Sequence, residues 1–546
     1  MKIFQPKLFV SMKNYSKKQF INDLVAGVIV AIIALPLSIA LAIASGVSPE
    51  KGLYTAIIAG FVIAFLGGSN VNISGPTAAF ATIVAGIVAQ FGTSGLIIAT
   101  IMAGIILILM GVLRFGTLIK YIPHTITTGF TSGIALTIVI GQVKDFLGLT
   151  FDPSLPTVET AEKVAAIAKS IGTFNWQALV VGLVGMAILI VWPKISKKIP
   201  GSLIAVVAGV ILVKALDLNV NTVGDLYTIS RDLPSFEVPE LSFSTVRQLL
   251  PNAFTIAILA AIESLLSCVV SDGMINDRHN SNTELIAQGV GNICSGLFGG
   301  IPATGAIART AANVKNGGRT PVSGIVHAAI LLLILVVLMP YAAWIPMPII
   351  AAILFMVAYN MCEWRSFVKI CKTAPKSDIL VLVVTFVLTV VFDLVVAIGA
   401  GMIIAVVLFM KRMADVTNVR TWSDPKDEPA ADSERLKAIP AHTEVIEFEG
   451  PMFFASAEKF SRIPIKDGVT TVILRMRNVP ALDETAMRAL FEVYSICKKS
   501  NLTLILSHTN EQPLSVMKKS GFYDKVGEEN FLPNIDEALI YAEKLQ

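Results

Sequence analysis

The sequence predicts an all-α membrane part of fourteen segments, two of them half-helices, followed by a small α/β domain outside the bilayer. Three observations carry this prediction. Of the 546 residues, 54% are hydrophobic and only 15% charged, whereas a soluble domain is about 25% charged; the first partner of this chain is therefore the lipid bilayer. Gly52 to Leu113 is a run of 62 residues without Asp, Glu, Lys or Arg, long enough for about three spans of roughly 20 residues each. The apolar character that begins at Leu24 ends near Met410, after which the chain turns polar and then alternating.

Hydropathy places the segments at roughly 21–45, 52–67, 76–91, 94–113, 123–143, 175–192, 200–216, 251–271, 283–298, 305–314, 321–340, 345–361, 378–392 and 394–410. Lys and Arg gather in alternate short loops, at Arg114, Lys194, Arg278, Lys315, Arg319 and Arg365 among others, and Lys51 is the exception on the opposite side. By the positive-inside rule these loops are cytoplasmic, and an even segment count leaves both termini in the cytoplasm of a bacterial-type cell membrane. The basic start, MKIFQPKLFVSMKNYSKKQF, lacks an apolar stretch followed by a small-residue cleavage site, so no cleaved signal peptide is expected. The resulting division is 1–20 as a cytoplasmic segment, 21–410 as the membrane domain, 411–440 as a linker and 441–546 as the soluble domain. In that domain TEVIEFEG, TTVILRM and NLTLILSH read as strands, and ETAMRALFEVYSICKKS and IDEALIYAEKLQ as helices.

Several classes are excluded. A net charge of +4 spread over this length is too dilute for a nucleic-acid partner. The five cysteines, Cys268, Cys294, Cys362, Cys371 and Cys497, have neither the even count nor the spacing of a disulfide framework or zinc site. No nucleotide loop, HExxH or Ser/His/Asp pattern appears, so neither enzyme chemistry nor a cofactor is expected.

The two half-helices follow from breaks in the apolar pattern. NISGPTAAF at 72–80 sets a Gly-Pro in the middle of the uncharged run; Pro suits the first helical position, so the third helix is expected to start at Pro76, inside the membrane. GGIPATGAIARTAANVKNGG repeats the device, with Thr304 as the expected N-cap and only about ten helical residues to follow, or ~15 Å against a ~30 Å hydrocarbon core. With the orientation above, the two N-termini point at each other near the midplane. Each carries unsatisfied N–H donors and roughly half a positive charge, which together suit an anion. A faint echo of ALPLSIALAIAS (34–45) in AAIESLLSCVVS (260–271), Ser38 over Ser264, is in keeping with two inverted halves.

In order along the chain, NDLVAGVIVAIIALPLSIALAIASGVSPEKGLY, SGPTAAF, TTGFTSGIAL, AIESLLSCVVSDG and ATGAIARTAANVKNGG resemble the signature stretches of the SulP family of anion transporters, and the tail resembles its STAS domain. The likeness is to the bacterial branch that includes proton-coupled C4-dicarboxylate transporters. It implies a seven-plus-seven inverted repeat split into a mobile core and a gate, an elevator-type movement, sulfate, bicarbonate or a dicarboxylate as substrate, and a homodimer. Ser74, Gly75, Pro76, Thr77 and Ala78 with Thr304, Gly305, Ala306 and Ile307 would line the anion site, their small side chains admitting backbone amides, although small residues also serve close helix packing.

Glu263 lies within the eighth segment, and a membrane carboxylate is a functional candidate by default; it is expected to carry a coupling proton. In sodium-coupled relatives the matching position is Asp, with oxygen ligands near the matches of Ser267 and Thr304, so Na+ at Glu263, Ser267 and Thr304 is the alternative. Arg309, one turn into the tenth helix, supplies charge to the anion, pairs with Glu263, or snorkels towards Lys315 and Arg319. Asp393 reads as a loop carboxylate, and His124 and His327 as boundary or packing residues. PALDETAMRAL resembles the STAS loop that carries a phosphorylated Ser in anti-sigma antagonists; Thr485 is the candidate here, against a plain helix N-cap, and the domain could engage a cytoplasmic protein. A nucleobase-type symporter and a membrane-anchored STAS regulator are the competing classes.

Overall fold

The computed structural model describes residues 4–117, 122–152, 154–157, 159–196, 199–230, 232–239, 242–392, 394–422, 438–461, 466 and 468–546. Asp393 and the loop lysines Lys120, Lys197 and Lys198 lie outside the described residues. The chain divides into two compact units, Met1–Met402 and Ile403–Gln546.

In lipid every backbone N–H and C=O must find a partner within the protein, which leaves helices as the default. The first unit accordingly consists of α1 (Lys17–Ala44), α2 (Pro49–Leu66), α3 (Ala81–Val112), α4 (His124–Leu147), α5 (Trp176–Ile195), α6 (Gly201–Ala215), α7 (Phe243–Ile275), α8 (Ser281–Leu297), α9 (Ile307–Lys315), α10 (Val322–Leu338), α11 (Met347–Cys362), α12 (Lys376–Val391) and the start of α13 (Leu394–Val416). Two short strands, β1 (Ser74–Gly75) and β2 (Thr304–Gly305), interrupt them. Polar side chains at the ends start several of the helices: Ser16, Asn175 and Asn280 each accept a bond from the first-turn backbone. Pro49 occupies the first position of α2. Among the described residues, nine helices are long and apolar enough to cross a bilayer, and α6 is a shorter apolar one. Within α3, Gly92 has φ 69° and ψ −172°, a conformation that breaks the helix into a half-helix before it and a full span after it. This is the expected division between the third and fourth segments.

Helix neighbours come in matched sets. The second part of α3 packs on α8 as α10 packs on α2; α3 packs on α7 as α10 packs on α1; α12 packs on α4 as α5 packs on α11. Two further contacts, α2 with α8 and α4 with α11, are their own mates. That pattern is what two repeats related by a two-fold axis produce. One close crossing is made by glycines on both sides: a Cβ on Gly104 would lie 2.6 Å from the Gly289 carbonyl oxygen, and one on Gly289 would lie 2.5 Å from the Gly104 carbonyl oxygen. Small residues let the two backbones meet where the membrane gives no hydrophobic drive to helix pairing.

Among the described residues of the first unit, four short helices go beyond the segments that hydropathy places: Lys7–Ser11, Thr160–Ser170, Val223–Leu226 and Trp364–Thr373. The first belongs to the segment expected as a simple cytoplasmic stretch at 1–20, and residues 17–20 already form part of α1. This N-terminal stretch is tied down by Lys7 Nζ at 3.0 Å from Asp277, and by Tyr15, whose hydroxyl donates to Asp23 at 3.0 Å.

The second unit is built on β3 (Asn418–Thr421), β4 (Thr443–Glu449), β5 (Thr471–Asn478), β6 (Thr503–Ser507) and β7 (Phe531–Leu532). They form one sheet in the order β3-β4-β5-β6-β7, with β3 antiparallel to its neighbour and the others parallel. Strand residues alternate between two cores. Ile446, Val472, Leu474, Leu504 and Leu506 face Met487, Leu490 and Val493 of α14 (Glu484–Lys499), while Val445, Ile473 and Ile505 face Ala538, Leu539 and Ala542 of α15 (Ile535–Lys544). The expected linker at 411–440 is corrected here. Residues to Val416 continue α13, and 418–421 pair with β4 because that strand would otherwise present an open edge; 423–437 lie outside the described residues.

Replacing Gly289 by Val drives a branched side chain into the α3 backbone. An overpacked contact of this kind costs about 1–3 kcal/mol, and the thermal midpoint of the detergent-solubilised protein should fall by several degrees while the exposed-site control Val407→Ala leaves it in place.

Candidate functional site

At the centre of the first unit the extended chain after α2 meets the extended chain after α8. β1 and β2 pair antiparallel, Ser74 opposite Gly305 and Gly75 opposite Thr304. Because the strands run in opposite directions, the helices that follow them depart in opposite directions, and both helix N-termini sit at the bridge. Two sequence expectations are corrected by this pairing. Pro76 is not the first helical residue: it and Thr77 remain extended, and a 3-10 turn, Ala78–Phe80, leads into α3. Thr304 is not the N-cap of α9; it lies in β2, and Ala306 takes the cap position. Strand pairing satisfies the broken backbone at membrane depth, so each helix starts only after it. Neither cap residue, Thr77 or Ala306, accepts a bond from its own helix through its side chain.

Polar side chains fasten the bridge. Ser264 on α7 lies 2.8 Å from the Thr304 hydroxyl and accepts from Gly305 N at 3.0 Å, and Thr304 donates to Ala260 O. On the other side Glu284 accepts from Gly68 N and the Asn72 amide, both at 2.8 Å, and from Gln288 at 3.0 Å. Gln288 in turn donates to Ser74 at 2.9 Å. Asn292 holds Ala303 through both its amide nitrogen and its oxygen. Glu284, Gln288 and Asn292 recur every four residues, on one face of α8. This stripe in an otherwise apolar span is the legible signal for residues that hydropathy alone passes over.

Arg309 is 3% exposed. Its Nη2 donates to the Pro76 carbonyl at 3.1 Å and lies 3.5 Å from Ser38, while Nη1 is buried with no partner. Gly75 permits this position: a Cβ there would fall 2.5 Å from Nη1. The snorkelling alternative is thereby excluded. Pairing with Glu263 is not made either, since among the described residues no ion pair joins the two. Glu263, half-buried, accepts instead from the Thr77 hydroxyl at 2.9 Å.

The structure thus gathers Ser74, Gly75, Pro76, Thr77, Thr304, Gly305, Arg309 and Glu263 around the bridge. Ala78 is buried beside it, Ala306 is half-buried and Ile307 is exposed. It does not join the three oxygens considered for sodium: Ser267 donates to Asn72 at 2.8 Å and lies 3.1 Å from the Thr310 hydroxyl, and the Thr304 hydroxyl is engaged by Ser264 and Ala260. His327 is fully buried in α10, and a Cβ on Gly60 would lie 4.0 Å from its Nδ1. In the second unit Asp483 caps α14 through Ala486 N at 2.9 Å, and Thr485 is exposed in the first turn.

A helical membrane core that brings two opposed helix N-termini and a buried guanidinium to one extended bridge has the architecture of a transport protein built on discontinuous helices. The chain belongs to the sulfate permease family, whose model matches residues 20–385, and a STAS domain matches residues 436–538. It is 38% identical over 534 residues to the putative sulfate transporter YvdB of Bacillus subtilis, covering 96% of this chain and 98% of that protein. It is 32% identical to the bicarbonate transporter BicA of Picosynechococcus over 541 residues, covering 95% and 94%. In fold it matches the murine anion transporter Slc26a9 in its inward-facing state, with a TM-score of 0.89 at 20% identity over 99% of this chain and 94% of that one.

Glu284→Gln turns one of the acceptors facing Gly68, Asn72 and Gln288 into a donor. A buried donor set against a donor costs about 1–3 kcal/mol, so the variant should melt at lower temperature in detergent, and Gln288→Leu, which also frees Ser74, should do the same.

Proposed function

We propose that this protein carries a small inorganic oxyanion across the cell membrane by secondary-active transport, with Arg309 and the two helix N-termini holding the anion. The observation that supports this most is the guanidinium nitrogen Nη1, buried at the bridge without a partner. A buried charge is costly until an opposite charge meets it, and the N–H groups at the starts of α3 and α9 add donors without bringing a negative charge of their own. Across the segments that build the site, 70–91, 252–271 and 299–314, Arg309 is the single Lys or Arg. One cation suits sulfate or bicarbonate better than a C4-dicarboxylate, whose second carboxylate would find none. The names of the relatives YvdB and BicA, a putative sulfate and a bicarbonate transporter, point the same way.

Glu263 is the proton carrier in this reading. It touches the half-helix through Thr77, so its charge state bears on the N-terminus that meets the substrate. Sodium is the less favoured ion because the Ser267 and Thr304 hydroxyls are engaged elsewhere. The helices α1, α2, α3, α7, α8, α9 and α10 move as the carrier, against α4, α5, α6, α11 and α12.

The test is uptake of labelled sulfate, bicarbonate and succinate into proteoliposomes of the full chain, each under an imposed proton or sodium gradient. Sulfate or bicarbonate should accumulate uphill with protons. Arg309→Gln and Gly75→Ala should each lower uptake at least tenfold, the second because its methyl displaces the guanidinium. Glu263→Gln should abolish uphill uptake and keep downhill exchange. Uptake of none of the three anions under either gradient overturns the reading.

A further inference from the structure

A second site lies away from the bridge, where α1, α6, α10 and the turn Met339–Trp344 meet around a cavity of about 280 Å³. Pro36, Ile39, Val206, Val210, Ile334 and Ala342 are among its walls, and every lining side chain is aliphatic, aromatic or Met. Water has no reason to occupy such a space. Its volume falls below the ~300–1,000 Å³ of pockets that enclose a whole drug-sized ligand, which suits a chain and not a headgroup. Ile39 and Ala342 at the back are buried, whereas Val207, Ile211, Tyr341 and Trp344 at the mouth are exposed. The slot therefore opens sideways, on a face of membrane helices, towards hydrocarbon. Pro36 sits inside α1, where it removes one helix hydrogen bond.

The mouth adds the second half of a ligand. Tyr341 and Trp344 stack edge to face at 5.2 Å, and Lys214, just beyond the last lining residue of α6, holds its ammonium 3.1 Å from the centre of the Trp344 ring. Trp, Tyr and Lys together mark the depth at which lipid headgroups begin. An apolar slot below a cation at headgroup depth has the chemistry of one molecule that the bilayer itself supplies.

We propose that this slot binds a phospholipid, with an acyl chain inserted between α1, α6 and α10 and the phosphate held by Lys214. The site also straddles two groups of helices. α1 packs on the half-helix α9 and α10 packs on α1 and α2, whereas α6 packs on α5 and α11. In the carrier reading given above, on which this consequence rests, the two groups slide past each other, and an inserted chain sets the rate of that movement without touching the anion site.

The test uses the full chain in vesicles of phosphatidylglycerol containing a small fraction of lipid with a photoactivatable diazirine near the end of one acyl chain. Cross-linked peptides are located by mass spectrometry. Label is expected on Ile39, Val210 and Ile334 at least fivefold above that on the lipid-facing residues Leu183 and Val383. Val210→Trp, which fills the slot, should abolish the excess, and Lys214→Gln, an exposed change that leaves the core alone, should lower it about threefold. Label spread evenly over all lipid-facing helices, or an excess that survives both substitutions, overturns the site. In uptake measurements Val210→Trp should change the maximal rate at least threefold with KM unchanged. An unchanged rate with the label lost overturns the role in transport and leaves the lipid site standing. If the parent protein takes up no anion, the carrier reading falls on its own, because the labelling does not depend on transport.

Discussion

Everything at the centre of this molecule depends on four residues that hydrogen-bond in the middle of a membrane. Non-helical backbone there is tolerated only where its N–H and C=O groups find partners, and β1 and β2 are each other's partner. From that constraint the rest follows. The chain that leaves α2 and α8 must run extended before it pairs, the helices after the strands must begin at mid-depth, and two positively biased ends are left side by side. The polar residues of α7 and α8 are then required: Ser264, Gln288 and Asn292 hold the ends of a bridge too short to hold itself.

The bridge also explains why a guanidinium can be buried beside it. Arg309 donates its one good bond to the Pro76 carbonyl, an oxygen that has no helical N–H to receive because the helix has not yet started. Gly75 and Gly305 clear the space on either strand, for Arg309 and for Asn72 respectively. Charge, backbone and small residues thus form one arrangement in which each part makes room for another.

Much of this is legible in the sequence. Gly-Pro at 75–76 and Gly-Ile-Pro at 300–302 stand where apolar spans ought to continue, and broken backbone at that depth has few physical readings. The true helix starts lie about two residues beyond the expected ones because a two-residue strand has no alternation to read; pairing across more than two hundred residues decides it. The direction of Arg309 is open in the sequence for a similar reason, since snorkelling, pairing and burial all begin from the same Cα. The polar stripe Glu284, Gln288 and Asn292 is readable but easily missed, because its segment stands out by its apolar residues. In the second unit the alternation of Val472, Ile473 and Leu474 between two cores announces a central strand plainly, whereas β3 hides in a polar stretch whose one claim to order is its neighbour.

The distance between the two strands has a consequence for how the protein is made. Ser74 leaves the ribosome 231 residues before Gly305, and at ~5–20 residues per second the first strand waits on the order of ten seconds or more for its partner. Throughout that interval the extended stretch ahead of α3 lacks the strand with which it pairs in the folded protein. The centre of the protein can therefore close only after more than half of the chain has been made.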